Sequence, residues 1–130
     1  FKLLSKNLGV FEDIVWIDFF ENTPLLFRVF NLFCLTSYYE GLGLVLLESM
    51  SAKVPIVASN SSAMSEIIKN NYNGFLVEQN NCEILSDLFL SLSKSELNKI
   101  KEEGFNFVIK NFSMKNMCEN TLNVYKKILQ

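Results

Sequence analysis

Two kinds of hydrophobic pattern alternate along this chain. Short runs of apolar residues occur at Ile14–Ile17, Leu32–Thr36 (apolar up to its closing threonine), Ile56–Ala58 and Phe75–Val77, each bounded by polar or turn-forming residues. Runs of that length suit strands buried on both faces of a parallel sheet. Between them lie stretches in which apolar residues recur every three or four positions, the period of a helix with one buried face. Phe1–Leu8 reads as the end of a helix closed by Gly9. Thr23 as N-cap and Pro24 at the first helical position open a second, with Leu25, Leu26, Val29 and Phe30 as its apolar face. A third begins near Leu42 or Gly43 and runs through Met50. A short one follows around Ser65–Lys69, and Asn70–Gly74 is a dense turn signal. Asn80 and Glu83 form a capping-box pattern ahead of a helix to Leu92. Ser95 caps another, interrupted near Gly104, and Ser113 caps the last, to about Leu129.

Strands alternating with helices predict an α/β fold, a Rossmann-like parallel sheet with helices on both faces. Ligands of such sheets bind beyond the carboxyl ends of the strands. Thr36–Glu40 and Ser59–Ala63 both follow strands at that edge, so two polar loops are expected to meet on one rim.

The composition narrows the chemistry. The chain has 130 residues, enough for one domain with a real core, and 49% of them are hydrophobic, which excludes disorder. A net charge of −2 and a pI near 5.2 give no nucleic-acid footprint. There is no histidine, so the commonest general base and metal ligand is missing. No metal site and no cofactor are expected. Cys34, Cys82 and Cys118 form neither a zinc pattern nor a disulfide framework and read as reduced thiols of a cytoplasmic protein. No apolar run is long enough to span a membrane. The first residue is Phe1, which reads as a sequence trimmed at its start.

One segment concentrates the candidate chemistry: Glu40-Gly41-Leu42-Gly43-Leu44-Val45-Leu46-Leu47-Glu48. Glu48 sits among apolar neighbours, where a carboxylate is costly unless paired. Glu40 precedes two glycines, where backbone can approach a ligand closely. The Gly-x-Gly turn leaves the first amides of the next helix free to attract an anion. A diphosphate there would lie between the carboxylates, one facing a sugar and the other a ribose. An ordinary core helix flanked by two surface glutamates has the same spacing. Ser59, Ser61 and Ser62 are further candidates for a phosphate or sugar, or simply a polar loop. Glu66 reads as a helix N-terminal carboxylate.

The segment from Ser37 through Glu48 to Met50 resembles the glutamate-x7-glutamate signature of retaining glycosyltransferases of the GT-B fold, glycosyltransferase family 4 or "group 1". The resemblance continues through Val54-Pro55-Ile56-Val57-Ala58-Ser59, Met64-Ser65-Glu66-Ile67-Ile68 and Asn73-Gly74-Phe75-Leu76-Val77. It implies that residues 1–130 are one truncated domain, the donor-binding C-terminal half of a GT-B enzyme. It implies a catalytic role for Glu40 at the transferred sugar. Gly41, Leu42, Gly43, Leu44 and Val45 then meet the donor sugar and diphosphate, and Glu48 the ribose. The implied partners are a nucleotide-sugar donor, a glycan or lipid-linked acceptor, and a missing N-terminal acceptor domain. An arginine and a lysine upstream belong to the same pattern. Polysaccharide or lipopolysaccharide assembly is the family's commonest work; the expected location is the cytoplasm, with peripheral contact at the inner membrane face as a further option. The alternative is a non-catalytic nucleotide-sugar-binding module acting with a partner chain. Departures from the family pattern are Leu42 for phenylalanine, Lys53 for glycine, Ser62-Ala63 for a glycine pair, and Ser65 for proline.

Overall fold

The structure, a computed structural model, describes residues 1–129, with Ser62 described by its backbone alone. Three parallel strands form the sheet: β1 (Phe33–Leu35), β2 (Ile56–Ser59) and β3 (Phe75–Val77), in the order β1-β2-β3. Cys34 pairs with Val57, and Ala58 with Leu76. The helices are α1 (Lys2–Asn7), α2 (Thr23–Phe27), α3 (Leu44–Ser51), α4 (Ser62–Ile67), α5 (Cys82–Ser91), α6 (Lys94–Asn111) and α7 (Met114–Ile128).

Every residue of β2 is buried, as the apolar run requires of a strand covered on both faces. Alternate residues feed two cores. Ile56 and Ala58 pack with Leu46 and Met50 of α3, Met64 and Ile67 of α4, and Val108 of α6. Val57 faces the other way, with Phe75, Val77 and Ile100, against Leu85 and Leu88 of α5. Helix α6 serves both layers, its first half on one and its second half on the other.

Several sequence expectations shift. Ile14–Ile17 forms no strand, since β1 pairs only with β2 and no strand among the described residues lies beside that run. An apolar run becomes a strand only where a neighbour supplies ladder hydrogen bonds. Asn22, not Thr23, occupies the cap position of α2, and the helix ends at Phe27, leaving Val29 and Phe30 outside it. Ser59 belongs to β2, and α4 starts at Ser62 rather than Ser65. Asn81 caps α5 by accepting from the Ile84 amide at 3.0 Å, because Asn80 is turned into the left-handed region at φ 57°. Ser93 rather than Ser95 caps α6. Its hydroxyl accepts from the Glu96 amide, while the Glu96 carboxylate accepts from the Ser93 amide at 2.9 Å. The Ser93 hydroxyl also donates to the Glu96 carboxylate, and this bond, then that from the Ser93 amide, holds the Glu96 carboxyl below its usual range. Helix α6 is continuous through Gly104. A Cβ there would stand 3.3 Å from both the Asn73 carbonyl and Met50 Cγ, so this glycine marks close packing and not a break. Ser113 caps α7 as expected.

Candidate functional site

The carboxyl ends of β1 and β2 lead into the two loops that the sequence singled out. After Leu35 the chain runs through Thr36–Leu42 as irregular backbone and enters α3 at Gly43. Gly43 has φ 61° and ψ 49°, the left-handed region where a side chain is strained. Its carbonyl takes the Leu46 amide at 2.8 Å. The amides of Leu44 and Val45, at the first helical positions, have no intrahelical acceptor. Leu42 and Leu44 are exposed and Val45 is half-buried, so this end of α3 is open.

Gly41 differs from Gly43. Its φ is not left-handed, and a Cβ built on it would meet nothing within 4 Å. The fold itself therefore gives no reason for glycine at position 41. A close approach from outside the chain is a reason.

Glu40 is half-buried in the β1–α3 loop. That loop is tied across the rim, where Gln79 Nε2 donates to the Tyr38 carbonyl at 2.7 Å. The Asn60 amide likewise donates to the Val77 carbonyl at 2.7 Å. Tyr38 and Tyr39 are 73% and 78% exposed beside Glu40. They stand on the rim as side chains free to meet a ligand, not as core.

Glu48 lies a little over one turn into α3, about 6 Å along the axis from Leu44. The sequence predicts a covered, paired carboxylate there. Glu48 is exposed instead, with no hydrogen-bond or ion-pair partner among the described residues. The apolar neighbours that suggested burial, Leu46 and Met50, point to the core from the opposite face of the helix. Glu48 lines a cleft of about 450 Å³ between α2, α3 and α6, together with Pro24, Phe27, Arg28 and Leu47. That cleft does not include Glu40, so the two carboxylates stand on one helix and its entry loop without sharing a cavity.

The serines separate as well. Ser59, 3% exposed, closes β2 and lines a cleft of about 320 Å³ with Thr36, Val77 and Glu78 at the carboxyl ends of all three strands. Ser61 occupies the cap position of α4, and its Oγ is buried without a partner among the described residues. Ser62 opens α4, and its side chain lies outside the described residues. Glu66 is exposed on α4. Cys34, exposed as a residue, has a partly desolvated thiol whose pKa is raised, so it is not a poised nucleophile. Among the described residues no group of three or more cysteine, aspartate or glutamate side chains converges as a metal site would. None of their helices is long and apolar enough to cross a membrane.

Sequence reasoning passed over Gln79 and Arg28. Nothing in the pattern marks either one, because Gln79 acts by its bond to the distant Tyr38 carbonyl and Arg28 only lines a cleft that other helices complete.

The model of the family "Glycosyl transferases group 1" matches residues 1–107. The chain belongs to the group 1 glycosyltransferases. Escherichia coli O-antigen chain mannosyltransferase B is 33% identical over 107 residues, covering 82% of this chain and 28% of that protein. A solved glycosyltransferase from Rickettsia africae ESF-5 superposes with a TM-score of 0.88 at 30% identity, over 99% of this chain and 35% of its own. Anabaena HepE, solved in complex with UDP-glucose, superposes at 0.88 over 96% of this chain and 35% of its own, and at 19% identity shows the fold alone. The chain thus spans about a third or less of the length of the curated relatives it matches. As a group 1 domain it has the α/β, Rossmann-like architecture of the C-terminal half of a GT-B glycosyltransferase.

Proposed function

We propose that this domain binds the nucleotide-sugar donor of a retaining glycosyltransferase. Joined to an N-terminal acceptor domain, it transfers the sugar to a glycan or a lipid-linked acceptor. The observation that carries the reading is the entry to α3. Two free amides, a glycine whose identity the fold does not require, and a flanking carboxylate stand together at the carboxyl edge of the sheet. Amides fixed in this way favour negative charge, which builds on the leaving diphosphate during transfer. Glu40 then accepts hydroxyl hydrogen bonds from the sugar and orients its anomeric carbon. Glu48, unpaired and on the same helix, accepts them from the ribose. The exposed position of Glu48 fits a group whose hydrogen-bond partner arrives with the ligand. The Anabaena protein solved with UDP-glucose supports a nucleotide-sugar donor, and the name of the Escherichia coli O-antigen chain mannosyltransferase supports a glycan acceptor. Ser59 and Ser61 are secondary candidates for polar contacts at the same edge. No metal or cofactor enters this reading.

Donor titration and turnover of a two-domain version test it. Glu48→Ala is expected to weaken donor binding about 10- to 100-fold, the range for hydrogen bonds to a charged group. Glu40→Ala is expected to lower turnover by a similar factor with donor affinity largely kept. Unchanged affinity and rate in both variants would remove the site.

A further inference from the structure

The alternation of side chains along β2 puts Ser59 on the same face as Val57, the face that α5 covers, while α3 packs on the other through Ile56 and Ala58. At the carboxyl end of the sheet the α5 face opens into the cleft of about 320 Å³ that Thr36, Ser59, Glu78 and Asn80 share. None of Glu40–Val45 lines it, so it is separate from the entry to α3. Ser59 is 3% exposed, and its hydroxyl has no hydrogen-bond partner among the described residues. A hydroxyl so nearly buried is costly until a ligand pairs with it. Asn81 takes the cap of α5, which leaves the Asn80 side chain without a hydrogen bond among the described residues. The bond from Gln79 to the Tyr38 carbonyl fixes this loop across the rim, so the cleft is formed before a ligand arrives.

The chemistry of the lining selects the ligand. The Thr36 and Ser59 hydroxyls and the Asn80 amide donate and accept, and the Glu78 carboxylate accepts. No lysine or arginine lines the cleft. A phosphate would meet the Glu78 carboxylate with no such counter-charge, whereas neutral hydroxyls find both donors and acceptors. Val77 and Leu85 supply an apolar wall for the C–H face of a ring. The volume lies at the small end of the range for ligand pockets, about 300–1,000 Å³, so it suits one ring and not a nucleotide. We propose that this cleft is a sugar subsite, holding one neutral pyranose ring with Ser59, Glu78 and Asn80 as its polar contacts. Such a ring has two sources, the sugar of a nucleotide-sugar donor and a unit of a glycan.

Cys82 supplies the probe. It lines the same cleft and is an exposed free thiol, and Cys118 on α7 is an exposed free thiol outside the cleft. Alkylation of the 130-residue chain by iodoacetamide, followed by mass spectrometry, reads occupancy at Cys82 against Cys118 as internal control. The methyl glycosides of glucose, mannose, galactose and N-acetylglucosamine, at tens of millimolar, are tested one by one. At least one is expected to slow alkylation of Cys82 and leave Cys118 unchanged, and inorganic phosphate to protect neither. Glu78 is exposed, so Glu78→Gln should leave the fold intact. It should raise the sugar concentration needed for half-protection about tenfold, as loss of a charged hydrogen-bond acceptor does. Uridine and guanosine diphosphate sugars that protect Cys82 where the free diphosphates do not assign the ring to the donor. Protection by the glycosides alone assigns it to a glycan, and either result supports the subsite. Alkylation of Cys82 unaffected by every glycoside, protection by phosphate instead, or half-protection unchanged in Glu78→Gln overturns it. The donor reading stands apart from these outcomes, because it rests on the entry to α3.

Discussion

Lys53 shows how one residue can hold a turn that glycine makes more cheaply. It follows α3 with φ 56°. The Lys53 amide bonds the Met50 carbonyl and the Val54 amide bonds the Ser49 carbonyl, the double closure of a left-handed helix end. A Cβ in that region costs roughly 1–2 kcal/mol. Two contacts offset part of it. Lys53 Nζ pairs with Glu102 at 2.6 Å and stands 4.7 Å from the Phe105 ring centroid. Both partners of the pair are about half exposed, so it contributes about 0–1 kcal/mol. Lys53→Ala keeps the backbone cost and loses the contacts, whereas Lys53→Gly removes the cost. The glycine variant is expected to be more stable than the alanine variant by about 1 kcal/mol in urea unfolding. Equal stability of the two would mean that the turn stores no strain. Asn73 holds its turn differently. It is 1% exposed, its Oδ1 accepts from the Lys69 amide at 2.7 Å, and its Nδ2 donates to the Ile67 carbonyl at 3.1 Å. The family-like Asn73-Gly74 pair is thus a structural brace below the sheet.

At the scale of elements, the contact between α3 and α6 decides where the candidate site stands. Helix α3 carries Glu48 on its open side and Met50 on its buried side, and Met50 meets α6 at Gly104. The absence of a side chain at 104 lets the helices approach closely, which holds α3 and its open N-terminus in place. Gly104→Ala is expected to fall within about 1 kcal/mol of wild type, since the gain in helix propensity offsets a tight contact. Gly104→Val has no such balance against the Asn73 carbonyl. It should destabilise the domain by about 1–3 kcal/mol, read as a lower midpoint in chemical unfolding. A neutral valine would show that the helices can separate without cost.

For the whole molecule, the question is how much of a donor site one domain can make. The described residues place the start of α3 and the Glu40 carboxylate at the rim. A helix N-terminus contributes about 0.3–1 kcal/mol at an exposed site. That is too little to hold a nucleoside diphosphate tightly. The 130-residue chain alone is expected to bind nucleotide sugars in the millimolar range and to transfer none. Calorimetry with uridine, guanosine and adenosine diphosphate sugars checks this. Micromolar binding would favour the non-catalytic module over a half-enzyme. Helix α7 has no buried residue, and Met114 and Ile128 are 72% and 74% exposed.

The sequence by itself determined the fold class, because buried parallel strands announce themselves as apolar runs between helices, and Ile56–Ser59 and Phe75–Val77 are such runs. It also determined the open helix start at Gly43, since a left-handed cap before an apolar helix is a local matter that glycine signals directly. Helix boundaries such as Asn81 and Ser93 were misplaced because neighbouring polar residues compete for the same cap, and the packing of the next helix selects one. Ile14–Ile17 has the composition of a strand, but a ladder needs a neighbour, and only tertiary structure says whether one is there. The exposure of Glu48 was likewise undecided locally. Its apolar neighbours along the chain turn to the core on the far side of α3, and helix geometry sends the carboxylate outward into a cleft walled by α2 and α6.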